Sequence, residues 1–441
     1  MIAILIVALF ALLCLLFVVH KQDIMYPSVI LCIVYLICIA FAMYNYDVWD
    51  MQSYSGEAVA LTLIAVGCFA FVGVIVEKAL FSNRRYVSGI SQESWNRIDE
   101  IQIPIWVIVA DILYCMITMV WYFSEVRRIA GPASNWTMLM NAYRTRAVAM
   151  LDAEERMPYL LVQMTRLVTV QGYFFGYVLV NNLIARRFKA RDVCLIPAVV
   201  AIGLYTIINA NRFELLKVAA FFLIASYILW HRKYGWNRNL SMKYARIGVV
   251  SLMALLIGFY SLKDAVGRIS TADPMYYISN YVGSGIRSFD LYLQSPPSSS
   301  TIWGKETFYA INQTLSRFGM DELLYTKHLE FRNINGLSVG NVYSALRRYH
   351  HDFGTMGIIV LPSIFSFFIH YAYCKIKYST SRKADFRSLI YCLIFFVVPM
   401  FPIDDHFFST VLSSLYIVNI FLLYVFYLAL IRKRVRFRFR R

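Results

Sequence analysis

The sequence predicts an all-α, polytopic integral membrane protein with about 11 transmembrane helices and two large extracytoplasmic loops. Hydrophobic residues make up 59% of the 441-residue chain and charged residues only 16%, a composition that soluble domains of this length do not have. Apolar stretches of roughly 20 residues, the length that crosses the hydrocarbon core as a helix, recur along the whole chain. Lys and Arg concentrate in alternate connections between these stretches, as in multi-pass membrane proteins.

The apolar stretches are predicted to be helices. Unpaired backbone groups are too costly in hydrocarbon, and the runs are too long for the strands of a closed barrel. The first stretch has no basic start and no small-residue cleavage site after it, so we expect a retained helix rather than a cleaved signal peptide. In chain order, the predicted spans are 1–19, 26–44, 57–79, 103–123, 160–184, 192–209, 213–230, 246–263, 356–374, 388–403 and 408–431.

The distribution of Lys and Arg predicts the orientation of the chain. One face receives most of the basic connections, and we expect this face to be cytoplasmic. An odd number of helices then places the N-terminus outside and the C-terminus, with its basic tail 432–441, inside. The formal net charge of +17 is expected to reflect topology and contact with anionic membrane lipid rather than a nucleic-acid partner. The basic connections lie around Lys21, around Arg84, Arg85 and Arg97, and at 186–191, 232–246, 375–387 and 432–441.

We expect a single membrane domain over 1–441, with extracytoplasmic loops at 124–159 and 264–355. The stretch 137–156 has the spacing of apolar and charged residues that is typical of a helix lying flat on the membrane surface. The eight cysteines show no spacing of metal ligands or of a disulfide framework. The run Asp404-Asp405-His406 is a weak signal for a metal site, and we predict no metal and no other cofactor.

The cations predicted on the outer face are mostly Arg. Their presence there opposes the usual topological bias and indicates a ligand that requires them. Guanidinium is a planar, always charged, bidentate donor suited to phosphate and pyrophosphate. Arg166 in the fifth span and Arg212 in a tight turn are the clearest cases, because a cation in or between spans needs a specific anion. We therefore predict a bound lipid-linked pyrophosphate; the alternative is contact with lipid headgroups or with nearby glutamates.

The segment from Gly340 to Gly354 is the most informative in the chain. Transfer of a glycosyl group needs a base for the acceptor hydroxyl and cations for the leaving phosphate. This segment supplies both kinds of side chain directly in front of the ninth span. The alternative is a solvated turn whose Arg residues meet lipid headgroups. The side chains concerned are Arg347, Arg348, His350, His351 and Asp352, beside Tyr343 and Tyr349.

Short motifs in three places point to a family. The chain reads Gly-Asn-Val-Tyr at 340–343, Asp-Phe-Gly at 352–354 and Arg-Ser-Phe-Asp-Leu-Tyr at 287–292, and Arg212 lies in a short turn. With about 11 spans, a basic tail and one dominant outer loop late in the chain, the sequence resembles the bacterial oligosaccharide repeat-unit polymerases, the O-antigen and capsule polymerase family. The turn departs from the Gly-Ser-Arg-Gly that is frequent in the family, since here it reads Asn-Ala-Asn-Arg-Phe-Glu.

The resemblance implies a glycosyltransferase of the bacterial inner membrane. Such an enzyme moves a growing glycan from undecaprenyl pyrophosphate to a hydroxyl of the next lipid-linked repeat unit, with inversion and without a metal. A chain-length regulator and a flippase are candidate partners. The residues assigned to catalysis on this basis are Asp352, His350, His351 and Arg287, and those assigned to substrate binding are Arg166, Arg212, Arg347, Arg348, Asn341 and Tyr343.

Two other functions stay open at this point. An O-antigen ligase shares the topology and the chemistry but passes the glycan to the lipid A core, and only the Asn-Val-Tyr and Asp-Phe-Gly pattern favours a polymerase. A flippase for lipid-linked oligosaccharides, or another transporter, should carry charged residues through the middle of its spans. Here Asp111 is the clearest midspan charge and His370 lies nearer a span end, so the sequence disfavours transport.

Overall fold

Helices dominate the part of the chain that the computed structural model describes. The described residues are 1–81, 98–148, 157–186, 188–236, 257–268, 273–298, 300–323, 325, 328–379 and 386–432. The predicted basic connection at 84–97, most of the predicted span 246–263 and tail residues 433–441 lie outside these ranges. Within them, nine helices are long and apolar enough to cross a membrane, which confirms an all-α, multi-pass membrane protein.

The helices are numbered in chain order. The bounds are α1 Ile2–Val19, α2 Pro27–Tyr44, α3 Gly56–Ile75, α4 Ile105–Ala130, α5 Trp136–Val148, α6 Tyr159–Ala185, α7 Ile196–Ile208, α8 Arg212–Tyr234, α9 Pro274–Gln294, α10 Tyr309–Ser316, α11 Ala345–Lys377, α12 Phe386–Ile394, α13 Val397–Met400 and α14 Ser414–Phe426. The helices long enough to span a membrane are α1 to α4, α6 to α8, α11 and α14; for α3, α7 and α14 this length includes a short 3-10 or π continuation.

The predicted and observed spans differ most near the end of the chain. The predicted span 388–403 is interrupted after Ile394, which leaves two short helices, α12 and α13. The predicted span 356–374 belongs to a longer helix, α11, whose regular geometry breaks at Gly354 with φ 58° and ψ −150°. Only glycine adopts such angles readily, and the break separates a short N-terminal helical segment from the apolar length behind it.

The chain forms two compact units. The first comprises Met1–Ile90, Ala272–Ser379 and Ile394–Ile417, and the second comprises Ser91–Thr271, Thr380–Leu393 and Val418–Arg441. The first unit therefore holds α1 to α3, α9 to α11 and α13. The second holds α4 to α8.

Helix α9 lies inside the stretch 264–355 that the sequence analysis treats as a loop, and it packs against α2 in the first unit. Asp273 starts the helix: its side chain accepts hydrogen bonds from the amides of Met275 and Tyr276 at 2.9 and 3.1 Å, the usual role of an N-cap carboxylate. Farther along, the side-chain Nδ2 of Asn45 donates to Ser279 Oγ at 2.7 Å. The second large loop thus contains a docked helix of 21 residues.

The close approach of α9 to α2 depends on Gly283. A Cβ built at this position would lie 2.5 Å from the backbone nitrogen of Ala42, and a backbone cannot yield as a flexible side chain can. We expect Gly283→Ala to destabilise the first unit by about 1–3 kcal/mol, seen as a lower midpoint of thermal unfolding in detergent. Gly67→Ala is the matched control, because a Cβ at this helical glycine of α3 meets nothing within 4 Å. An equal midpoint for both variants would contradict the close packing.

In the second unit, glycines of α6 let its neighbours approach. A Cβ at Gly172 would lie 2.8 Å from Ile202 of α7, and one at Gly176 would lie 2.7 Å from the ring of Phe222 of α8. The stretch 137–156 that is predicted as a helix contains α5, and residues 149–156 of that prediction lie outside the described ranges. Its position on a membrane surface stays a prediction. Tyr122 of α4 and Tyr143 of α5 join their hydroxyl groups at 3.1 Å, which fastens α5 to the end of α4.

The first unit also contains a small antiparallel hairpin. Strands β1 (Arg332–Ile334) and β2 (Leu337–Gly340) pair across a two-residue turn. The turn residues Asn335 and Gly336 have φ of 50° and 77°, the left-handed conformation that an Asn-Gly turn adopts. The hairpin leads directly into the start of α11 and so brings the segment before it next to that helix end.

Candidate functional site

The N-terminal segment of α11 presents two adjacent arginines that are both buried. The segment is fixed in place where the Ala345 amide donates to the carbonyl oxygen of Phe401 at 2.9 Å. Gly340, with φ of 103°, turns the chain from β2 toward the helix. Because residues 347 and 348 are adjacent on a helix, their side chains leave it about 100° apart. Each arginine therefore meets a different set of partners.

Arg347 is 1% exposed and spans two carboxylates. Its Nη1 donates to Glu306 Oε2, and its Nη2 donates to Glu330 Oε2 at 2.7 Å. The guanidinium also lies over the rings of Tyr292 and Tyr343, 5.0 and 5.2 Å from their centroids. Its Nε–H is buried and has no hydrogen-bond partner among the described residues. One donor of this cation thus has no partner among the described residues, and two separate carboxylates pair with the other two nitrogens.

Arg348 makes a forked ion pair. Its Nε donates to Asp404 Oδ1 at 2.7 Å and its Nη2 donates to Asp404 Oδ2 at 3.1 Å. Its Nη1 approaches the carbonyl oxygen of Glu306 at 3.5 Å. A bidentate pair of this kind fixes the plane of the guanidinium. Arg348 therefore joins the end of α11, the segment around 306 and the connection after α13.

Asp352 holds the segment that carries Glu306. Its carboxylate accepts hydrogen bonds from the amides of Glu306 at 3.1 Å and Thr307 at 2.7 Å. The Thr307 hydroxyl in turn donates to the carbonyl oxygen of Arg348 at 3.2 Å. His351 Nε2 lies 3.6 Å from Glu306 Oε1. Asp352 is thus occupied by backbone amides, while Glu306 lies between Arg347 and His351.

A pocket of about 320 Å³ lies beside Arg347, Arg348 and Glu306, and this volume falls within the usual size range of small-molecule sites. Three of its side chains are cationic (Lys305, Arg347 and Arg348) and two are carboxylates (Glu306 and Glu330). With two histidines and two phenols added, the lining can hold an anion and can also accept a proton. The residues around the pocket are Pro297, Ser298, Ser300, Lys305, Glu306, Tyr309, Tyr325, His328, Leu329, Glu330, Arg347, Arg348 and His351.

The aromatic neighbours of Arg347 stay neutral. Burial raises the pKa of Tyr292 to about 12 and raises the pKa of Tyr343 as well, because an apolar environment disfavours phenolate. The Tyr343 hydroxyl donates to the carbonyl oxygen of Glu330 at 2.9 Å, and the Tyr292 hydroxyl lies 3.1 Å from His350 Nδ1. These groups therefore orient Arg347 and His350 without adding charge.

The structure brings only some of the predicted site residues to the pocket. Arg347, Arg348 and His351 line it, whereas Tyr343, His350 and Asp352 are not part of the lining. Tyr343 contacts Arg347, and Asp352 binds the amide of Glu306. Asn341 lies in the bend after β2 and is partly buried. Substrate contact by these residues stays a prediction.

Arg287 has a set of partners of its own in α9. Its Nε donates to the carbonyl oxygen of Trp49 at 2.8 Å, its Nη2 donates to Ser53 Oγ at 2.8 Å, and its Nη1 donates to Asp290. Asp290 also accepts the amide of Ser55 at 3.1 Å. This buried network joins α9 to the connection between α2 and α3. The catalytic role that the sequence suggests for Arg287 stays a prediction, and its contacts indicate a structural one.

Arg166 and Arg212 belong to the second unit. Arg166 Nη1 donates to Gln163 Oε1 at 2.8 Å on the same helix. Arg212, the first residue of α8, is buried; it donates to the carbonyl oxygen of Phe259 at 3.1 Å, and its guanidinium lies 4.2 Å from the centroid of that ring. A cation on an aromatic face is favourable in itself. The proposed contact of these two arginines with substrate stays a prediction.

The carboxylates of Asp404 and Asp405 serve different partners. Asp404 pairs with Arg348 as described. Asp405 accepts the Tyr349 hydroxyl at 2.9 Å and the Ser409 amide at 2.8 Å. Burial raises the pKa of Asp405. The first carboxylate thus supports the pocket, and the second holds the turn that follows α13.

Sequence reasoning missed Glu306 altogether. Lys305, His328 and Glu330 were recognisable as charged or titratable residues of the second large loop, but nothing in the sequence connects Glu306 with Arg347, which lies 41 residues later. A general signal did exist, because an arginine buried next to a membrane span requires a carboxylate or another anion. That requirement does not say which of the carboxylates along the loop meets it.

Comparison of the chain with protein-family models, with curated proteins and with solved structures found no match.

Proposed function

We propose that this protein is a polymerase of lipid-linked oligosaccharide repeat units, a glycosyltransferase that uses a polyprenyl pyrophosphate as leaving group. One observation carries the proposal: a pocket lined by Lys305, Arg347 and Arg348 lies at the head of a membrane-length apolar helix, α11. An amphiphile with an anionic head and a long apolar tail fits this arrangement. Undecaprenyl pyrophosphate has this chemistry, and its tail lies in the bilayer.

The charge balance of the pocket favours a pyrophosphate ligand. Arg347 is neutralised by two separate carboxylates, each attached through a single guanidinium nitrogen. Pyrophosphate carries more charge than either carboxylate and offers several oxygens to one guanidinium fork. Exchange of the carboxylates for pyrophosphate keeps the buried arginine paired, which a buried charge requires. The Nε–H of Arg347, which has no hydrogen-bond partner in the described ranges, is then a further donor for the ligand.

In this proposal the arginines act on the leaving group. The acceptor hydroxyl attacks the anomeric carbon, the bond from that carbon to the pyrophosphate breaks, and the pyrophosphate departs with the electron pair. Arg347, Arg348 and Lys305 stabilise the charge that develops on it. A direct displacement inverts the anomeric configuration. The reaction would take place on the outer face of a bacterial inner membrane, with a lipid-linked repeat unit as acceptor.

The proposal is tested in a strain that lacks the protein and is complemented with wild type or with Arg348→Ala, Arg212→Ala or Arg287→Ala. Surface glycan is then separated as a lipopolysaccharide or capsule ladder. We expect deletion to leave a single repeat unit, wild type to restore the ladder, and Arg348→Ala to fail although the protein reaches the membrane. A complete loss of attached repeat units would indicate a ligase or a flippase instead, and an unchanged ladder would exclude a role in glycan assembly.

A further inference from the structure

We propose that Glu306 is the general base of the transfer reaction and that Arg347 masks it until a pyrophosphate binds. This inference rests on the proposed function and concerns the same pocket. In the structure, Glu306 Oε2 accepts from Arg347 Nη1. A carboxylate engaged in this way is a weak base. When pyrophosphate takes its place on Arg347, the carboxylate is released beside the reacting groups.

The position of Glu306 fits this role better than that of Glu330. The Glu306 side chain is 13% exposed and the Glu330 side chain 34% exposed. Glu330 also accepts from Arg332 Nη2 at 2.9 Å, so it keeps a cationic partner after Arg347 turns to the ligand. Within the described part of the chain, the Glu306 carboxylate has no second arginine as a partner; its other neighbour is His351, 3.6 Å away. When Arg347 pairs with the ligand instead, Glu306 therefore becomes a stronger base to a greater extent than Glu330 does.

Asp352 is a positioning residue in this scheme. It binds the amides of Glu306 and Thr307 and so fixes the backbone that carries the base. It belongs to the same short helical segment as Arg347 and His351. Asp352 thereby fixes the positions of Glu306, Arg347 and His351 relative to one another. A proton transfer within hydrogen-bond distance requires this kind of fixed geometry.

The step balances without any further reactant. The proton of the acceptor hydroxyl moves to a Glu306 carboxylate oxygen as the hydroxyl oxygen forms its bond to the anomeric carbon. The bond between that carbon and the pyrophosphate oxygen breaks, and the electron pair leaves with the pyrophosphate. His351 Nε2 then relays the proton from Glu306 toward solvent. When the pyrophosphate departs, Glu306 pairs with Arg347 again.

The inference separates binding from turnover. With purified protein in nanodiscs, we expect Glu306→Gln to bind undecaprenyl pyrophosphate at least as tightly as wild type, because a competing negative charge is removed. Turnover of the lipid-linked repeat unit extracted from the deletion strain should fall about 100-fold, the effect of losing a general base. The loss of turnover in Glu330→Gln should be at least tenfold smaller than the loss in Glu306→Gln. Glu322→Gln, an exposed glutamate of the same loop, should match wild type in both assays.

A second measurement keeps the inference testable if the glutamine variant is poorly folded. Formate added to Glu306→Ala should restore turnover at least tenfold, because a small carboxylate can replace the missing base. It should not raise the turnover of Asp352→Asn, and Glu322→Ala should match wild type with and without formate. The Asp352→Asn variant should lower kcat with little change in KM. If the turnover of Glu306→Gln is within threefold of wild type, or if formate does not rescue Glu306→Ala, Glu306 is excluded as the base. The polymerase proposal is unaffected by either result. A wild type protein that neither binds undecaprenyl pyrophosphate nor elongates glycan would overturn both.

Discussion

Replacement of Arg347 by Ala is expected to lower the rate of glycan polymerisation about 10³-fold, the range found when an arginine that stabilises a leaving phosphate is removed. The variant loses a guanidinium that contacts both carboxylates of the pocket. Two acids then face each other without their shared cation, so an incoming pyrophosphate meets repulsion rather than attraction. The effect should appear in kcat and in pyrophosphate affinity together. Turnover of lipid-linked repeat units and binding of undecaprenyl pyrophosphate measure the two.

Two comparisons make this expectation specific. Arg347→Lys keeps the charge but cannot reach Glu306 and Glu330 at once, so we expect it to recover less than a tenth of wild type activity. Arg317→Ala removes an exposed arginine of the same loop, whose Nη1 lies 3.4 Å from Ser414 Oγ, and should leave polymerisation unchanged. Near-normal polymerisation by a well-folded Arg347→Ala protein would contradict the assignment of this pocket to the leaving group.

Patterns within short stretches of the sequence predicted the features that depend on residues close together in the chain. The long apolar runs predicted the membrane helices within about four residues for α1 to α3 and α6 to α8, because a helix in hydrocarbon must satisfy its backbone within its own length. Helix α4 continues to Ala130, beyond its predicted end at 123. The dense charge at 340–354 predicted a site at the head of the ninth span; Arg347, Arg348 and His351 of this segment line a pocket, and its function stays a prediction. Both inferences needed only residues that are close in the chain.

Helix α9 escaped prediction because its buried face is partly polar. Residues that a membrane pattern treats as loop, such as Ser279, Arg287 and Asp290, are fully buried in it. Such a face becomes stable only when partners from α2 and its following turn satisfy it. Those partners come from the first 55 residues of the chain. A window of sequence around α9 contains no sign of them.

The pairing of the pocket arginines was hidden for the same reason. Arg348 pairs with Asp404, which lies 56 residues later in the chain, and Arg347 pairs with Glu306, which lies 41 residues earlier. The type of each partner follows from electrostatics, because a buried guanidinium requires an anion. The identity of each partner follows from the packing of segments that are far apart in sequence. The candidate base was therefore visible only in three dimensions.

Arg287→Ala is expected to destabilise the first unit by about 3–5 kcal/mol, the usual effect of removing one member of a buried ion pair. Arg287 is 1% exposed and Asp290 is 0% exposed. The change leaves the Asp290 carboxylate buried without its cation and frees the carbonyl oxygen of Trp49 and the hydroxyl of Ser53. We expect a much lower unfolding midpoint in detergent and cleavage by trypsin under conditions in which wild type is resistant.

A double variant tells a structural role from a catalytic one. Arg287→Met with Asp290→Asn removes both charges and keeps most of the buried volume, and exchange of a buried ion pair for neutral groups is often close to neutral in stability. If Arg287 acts only as a support for α9, the double variant should recover much of the lost stability and polymerise glycan to at least a tenth of the wild type level. If Arg287 acts on the substrate, the double variant should be folded and inactive. Because the contacts of Arg287 lie in the connection between α2 and α3 rather than in the pocket lining, recovery of activity is the expected result.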